Sequence, residues 1–315
     1  MASEPQIDDP LELSRPVPPD VRLDRIGLEL PDGYGTTAHV YTCQAAGAGD
    51  PVVYLHGIQS HPGWFSRSAA HLAASGHAAL MPTRRGSGTN TVARGDARSA
   101  EQLLDDVAAC CRLAMARFDA PRVHLVGVSW GGKLGAAFCL RRWEGVEIAS
   151  LTMVAPGIAA KVDVPLSKKL AIGLALLGRP GTMFDIPLSD VSLFTDNPAM
   201  REYLVADAHR LHRATGRFLF ASRRLDAMLK APAGSLSVPT TLLLADRDRI
   251  IDNERTRQIV TDLTAGKVDV DELQAAHTME FEESPEALHA ALLAGVRADF
   301  FRKDAGIEEE RQADG

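Results

Sequence analysis

Ser129, Asp248 and His277 are residues of chemistry-bearing type, and they stand in an order that matters. Ser129 lies in Gly127-Val128-Ser129-Trp130-Gly131, after an apolar run over 122–128 and before a helical-looking stretch over 130–143. A strand that turns sharply into a helix at such a segment leaves the serine hydroxyl exposed at the top of a sheet. Gly127 and Gly131 flank it because a side chain at either place would strike a neighbouring strand or helix. A serine hydroxyl is a poor nucleophile, so a base and an orienting acid must follow, in the order Ser, Asp or Glu, His. The apolar run 239–245 leads into Asp246-Arg247-Asp248-Arg249, and the β-like run 267–273 leads into Gln274-Ala275-Ala276-His277. Both candidates fall just beyond the carboxyl end of a predicted strand, where open α/β sheets place their ligands. The chemistry open to this trio is attack on a carbonyl carbon. His277 takes the Ser129 proton, and Asp248 holds the imidazole tautomer and stabilises its cation.

Attack on a carbonyl also needs donors for the negative oxygen that develops. The apolar run 51–55 enters His56-Gly57-Ile58, where Gly57 lets the backbone turn and the Ile58 N–H can point at that oxygen. The Trp130 N–H, one residue past the serine and at the start of a helix, is the second expected donor. His56 is expected to brace this loop rather than to transfer protons. Other readings stay open at this level. Ser129 could be a tight-turn serine, Asp246 could replace Asp248 as the acid, and Asp252 reads best as the cap of the following helix. Trp64, Arg84 and Arg85 could shape the site or only support loops.

Taken together, His56-Gly57-Ile58, Arg85-Gly86-Ser87-Gly88, Gly127-Val128-Ser129-Trp130-Gly131, Asp248-Arg249-Ile250-Ile251-Asp252 and His277-Thr278-Met279-Glu280 resemble the α/β-hydrolases. Within that group they are most similar to monoacylglycerol lipase and lysophospholipase-like serine hydrolases. These pieces span roughly 21–301, with a divergent middle. Two positions depart from the family pattern: Thr83 stands where an Asp is frequent, and Asp246 where a Gly is frequent. The resemblance implies hydrolysis of a carboxylic ester (a monoacylglycerol, lysophospholipid or similar acyl ester) through an acyl-enzyme, with no metal and no organic cofactor. Two alternatives remain. The same triad could act on a thioester, amide or carbon–carbon bond or in acyl transfer, or the chain could be a silent binding protein on this scaffold.

The elements that must position these residues alternate as a parallel α/β sheet requires. A hairpin is expected over 21–44, then a strand before His56, a helix over 64–75 and a strand over 77–81. After a Gly- and Arg-rich loop, Ser99 and Gln102 form a capping-box pattern. A strand over 148–155 follows the serine helix, and Ser284-Pro285 opens the last helix. The expected architecture is an α/β-hydrolase fold: a mostly parallel central sheet flanked by helices, with a helical cap inserted late in the sheet. Its domains are a core over 21–156 and 236–302, a cap over 157–235, a disordered acidic leader over 1–20 and an acidic tail over 303–315. The cap is too long for an ordinary connection. Its apolar residues have helical spacing over 166–177 and 203–228. Leu170, Ile172, Leu174, Leu176 and Leu177 could line an acyl pocket or touch a lipid surface; for most of them, packing of the cap onto the core is the simpler expectation.

Composition agrees. The chain has 315 residues, 45% hydrophobic and 24% charged, as an ordinary globular protein has. A net charge of −7 gives no support to nucleic-acid binding, which wants a basic stripe. The four cysteines form no metal or disulfide pattern and are expected as reduced, buried thiols. No signal-like segment and no long apolar run is present, which implies a cytoplasmic protein. The oligomeric state is not legible.

Overall fold

The computed structural model describes residues 18–44, 49–162 and 165–297. The expected tail, and all but the last three residues of the expected leader, lie outside the described residues. An antiparallel pair, β1 (Val21–Glu29) and β2 (Gly35–Cys43), opens the chain. It is followed by β3 (Val52–Leu55), α1 (Ser66–Ala74), β4 (Ala79–Pro82), α2 (Ala100–Arg117), β5 (Val123–Val128), α3 (Trp130–Cys139) and β6 (Ile148–Val154). After a long insertion come β9 (Thr240–Ala245), α7 (Asn253–Leu263), β10 (Val268–Leu273) and α8 (Glu286–Arg297). The insertion itself holds α4 (Leu166–Gly178), β7 (Met183–Asp185), α5 (Pro198–Ala206), β8 (Arg213–Thr215) and α6 (Gly216–Met228).

The strand order is β1-β2-β4-β3-β5-β6-β9-β10, and β2 alone runs against the other strands. This is the mostly parallel, helix-covered sheet expected from the sequence. Its central strands β3, β4, β5 and β9 are buried at every residue, as strands covered on both faces must be. The edge strand β10 has no fully buried residue and exposes Asp269, Asp271 and Glu272, charges that discourage pairing with another chain. Helix starts follow their caps. Ser99 accepts the Gln102 N–H at the head of α2, and Gln102 reaches back to the Arg98 N–H. Asp252 accepts the Arg255 N–H at the head of α7. Cys110, Cys111 and Cys139 are buried free thiols and Cys43 is half-buried.

The insertion departs from expectation in two ways. The helical spacing over 203–228 is not one helix. It breaks after Ala206, because the Asp207 carboxylate binds His61 and the Trp64 indole of the core, and the chain then forms β8, which pairs antiparallel with β7. The second difference is α4, which buries none of its residues. Leu170, Leu174 and Leu177 point to solvent, with Leu177 86% exposed, so they do not pack the insertion onto the core.

Candidate active site

The turn from β5 into α3 holds Ser129 at φ 54, ψ −120, a conformation rare for a residue with a side chain. The neighbouring glycines are needed for it. A Cβ on Gly131 would lie 2.2 Å from the Leu55 carbonyl oxygen, and one on Gly127 would lie 2.5 Å from that of Gly131. Two further bonds pin the turn: the Ser129 N–H donates to the Val154 carbonyl, and the Ser129 carbonyl accepts the Gly157 N–H.

The other two predicted residues meet it. His277 Nε2 stands 2.9 Å from Ser129 Oγ, and His277 Nδ1 stands 2.7 Å from Asp248 Oδ2. Asp248 Oδ1 accepts the N–H groups of Ile250 and Ile251, each at 2.8 Å, so the carboxylate cannot swing. An ionised carboxylate only accepts, which places the imidazole proton on Nδ1 and leaves Nε2 free to accept from the serine. Burial pushes the Asp248 carboxyl up. The His277 charge and hydrogen bond and the two backbone N–H groups outweigh it, and hold the pKa below its ordinary value. Asp246 has a different post: its Oδ1 accepts the Ala275 N–H, two residues before the histidine.

The loop expected to supply the Ile58 oxyanion donor is tied down by His56. Its Nε2 accepts the Arg84 N–H at 3.1 Å, so Nδ1 carries the proton and donates to the Gly57 carbonyl at 2.9 Å. That carbonyl belongs to the same peptide unit as the Ile58 N–H, and a donor on its oxygen makes the N–H a stronger donor. Burial, reinforced by the Arg84 charge, pushes the His56 pKa well down and keeps the ring neutral. A Cβ on Gly57 would stand 3.4 Å from the Ser129 Cβ, so this loop lies directly against the serine. Ile58, Ser129 and Trp130 share the wall of one cavity of about 480 Å³. Its other walls come largely from the insertion, including Ile172, Leu176, Leu188 and Leu219.

Three loop residues find their roles here. The Arg84 guanidinium donates to the Ile58 carbonyl and lies over the rings of Trp130 and Phe218, at 4.9 and 5.1 Å. Arg85 forks onto Asp106 and also reaches Asp32, so its loop is anchored from α2 instead of from position 83. Trp64 ties the start of α1 to the insertion through Asp207.

Two residues have roles that the sequence does not assign, although Glu280 stands in the histidine segment His277-Thr278-Met279-Glu280. Glu280 accepts the N–H groups of Arg67 and Ser68 and the Ser68 hydroxyl, which fastens the histidine loop to the first turn of α1. Lys133 is buried beside the serine on α3, where every residue is buried. Its signal was present: a lone charge in the otherwise apolar Trp130–Cys139.

The fold and this arrangement of side chains define an α/β-hydrolase. A family model described as Serine aminopeptidase, S33 matches residues 49–284, and the chain belongs to that family, as a serine hydrolase of the lipase and esterase kind. Phospholipase YtpA of Bacillus subtilis strain 168 is 26% identical over 203 residues, 64% of this chain and 76% of that protein. Among solved structures, a soluble variant of the Saccharomyces cerevisiae monoglyceride lipase, in complex with a substrate analog, aligns with a TM-score of 0.75. It shares 16% identity over 90% of this chain and 96% of its own. A monoacylglycerol lipase of Paleococcus ferrophilus aligns with a TM-score of 0.69 and 19% identity, over 87% and 98% of the two chains.

Proposed function

We propose that the chain hydrolyses a carboxylic ester of an amphiphile, a monoacylglycerol, lysophospholipid or similar acyl ester, with Ser129 as nucleophile. The observation that carries this reading is the unbroken run of short contacts from Asp248 through His277 to Ser129, at the wall of a largely apolar cavity. Ser129 Oγ attacks the ester carbon as His277 Nε2 takes its proton, and the oxyanion rests between the N–H groups of Ile58 and Trp130. Collapse passes the proton to the departing alcohol and leaves an acyl-enzyme. Water, deprotonated by His277, then releases the acid.

The insertion acts in this reading as a cap that selects the substrate. An ester fits its lining better than an N-terminal amide does. An aminopeptidase must hold a substrate ammonium, which calls for a carboxylate, whereas among the described residues the cavity is lined by Lys133, Lys169 and Arg223 and by no acidic side chain. The outward leucines of α4, flanked by Lys168 and Lys169, suit transient contact with an anionic membrane surface. No helix among the described residues is long and apolar enough to cross one.

A fluorophosphonate probe should label wild-type protein at Ser129 and leave Ser129→Ala unlabelled. That variant should lose roughly four to six orders of magnitude in turnover of p-nitrophenyl esters with its melting curve intact. Label elsewhere, or retained turnover, would reject the nucleophile and with it the mechanism.

A further inference from the structure

The polar corner of the cavity consists of hydrogen-bond donors. Lys133, one helical turn beyond Ser129, donates to Ser222 Oγ at 2.9 Å and to Asp226 Oδ1 at 2.8 Å, both on α6. The Trp130 indole N–H donates to the same Ser222 oxygen at 2.9 Å. Ammonium and indole nitrogens only donate, so both lone pairs of Ser222 are taken and its own O–H must find an acceptor elsewhere. Lys133 has three N–H groups, and these contacts use two. Arg223, the next residue, lines the same cavity and meets Asp226 only at 3.5 Å. Two cations thus share one carboxylate. Among the described residues, the corner presents at least two unclaimed donors and a surplus positive charge, within the same walls as Ser129 and the apolar side chains of α4.

We propose that this corner seats an anionic, acceptor-rich group, a phosphate or carboxylate, on the non-acyl half of the substrate, while Ile172, Leu176 and Leu219 take the acyl chain. The proposal rests on the ester-hydrolase reading for its substrate but not for its binding test. Burial pushes the Lys133 ammonium toward its neutral form and Asp226 opposes that shift; a bound anion opposes it further. Phosphate and carboxylate differ in charge and in number of acceptors, so the same corner ranks them.

The test is titration calorimetry of the full chain with octyl phosphate, octanoate and octanol. The expected result is at least tenfold tighter binding of one or both anions than of octanol, and the tighter anion identifies the group. Lys133→Met should bring that ratio close to one. Asp226→Asn, which frees Lys133, should raise it several-fold, an opposite shift that misfolding would not produce. Equal binding of the alcohol and both anions in the wild type, or a ratio unmoved by Lys133→Met, overturns the proposal. A parallel assay compares kcat/KM for octanoyl glycerol and its 3-phosphate. Hydrolysis of the neutral ester with no preference for an anion in either assay rejects the corner alone. An anion preference in binding with no ester hydrolysed rejects the esterase reading and leaves the corner standing.

Discussion

The β5–α3 turn and helix α4 both face the cavity, yet the fold treats them in opposite ways. At the turn, each atom answers to several neighbours: Ser129 is fixed by two backbone bonds, by glycines with no room for a Cβ, and by His277. Helix α4 supplies Ile172 and Leu176 to the wall while burying none of its residues. The contrast separates two tasks. In the proposed reading, the core carries the reaction and the insertion selects the molecule that reaches it.

The contrast breaks first, and with the largest effect, at the acid. Asp248→Asn removes the group that fixes the His277 tautomer and should cost about four orders of magnitude in kcat. Asp246→Asn, which touches the Ala275 N–H and the Arg247 guanidinium but not the His277 ring, should cost less than roughly tenfold. Comparable losses in a p-nitrophenyl butyrate assay would reverse the two assignments. Next comes a matched pair of stability measurements. Gly131→Ala forces a Cβ against the Leu55 carbonyl and should destabilise by about 3 kcal/mol in urea titration. Leu174→Ser, on the exposed face of α4, should stay within about 0.5 kcal/mol and weaken pelleting with anionic vesicles. A large loss of stability in Leu174→Ser would show that α4 is held by the core after all.

The last test concerns pH. His124, on β5, is buried against Ser150, and burial, with His77 nearby, pushes its pKa down to about 4. An unfolded chain takes up this proton near its ordinary value of about 6.5, while the folded chain resists it until about 4. Stability contributed by this residue is therefore complete above that window and declines as the pH falls through it. The decline should reach about 2 kcal/mol between pH 7 and 5. Urea midpoints for the wild type and His124→Gln should converge as the pH falls; a constant gap would reject the buried neutral ring.

The same division explains what could be read in the sequence. Ser129, Asp248 and His277 were legible because reaction chemistry restricts their types and order, and apolar runs mark the strands that deliver them. The insertion gave less away. A leucine every three or four residues reads identically on an inward or an outward face, so the exposure of Leu170, Leu174 and Leu177 was invisible. Strands β7 and β8 have three residues each, too few to display a period. The break at Asp207 depends on His61 and Trp64, about 145 residues away in the chain. Lys133 shows in the sequence only as a lone charge, because its role comes from Ser222 and Asp226, which only folding brings beside it.

Helix α4 forms a wall without sharing in the packed interior, and this has a consequence for how the protein can change. Ile172 and Leu176 can be exchanged for bulkier or smaller residues, and Gly173 for a larger one, with little penalty to folding, while the contacts of Ser129, His277 and Asp248 stay as they were. If the proposed acyl ester is the substrate, selection, in nature or in a library, can therefore rewrite the range of acceptable chain lengths one position at a time.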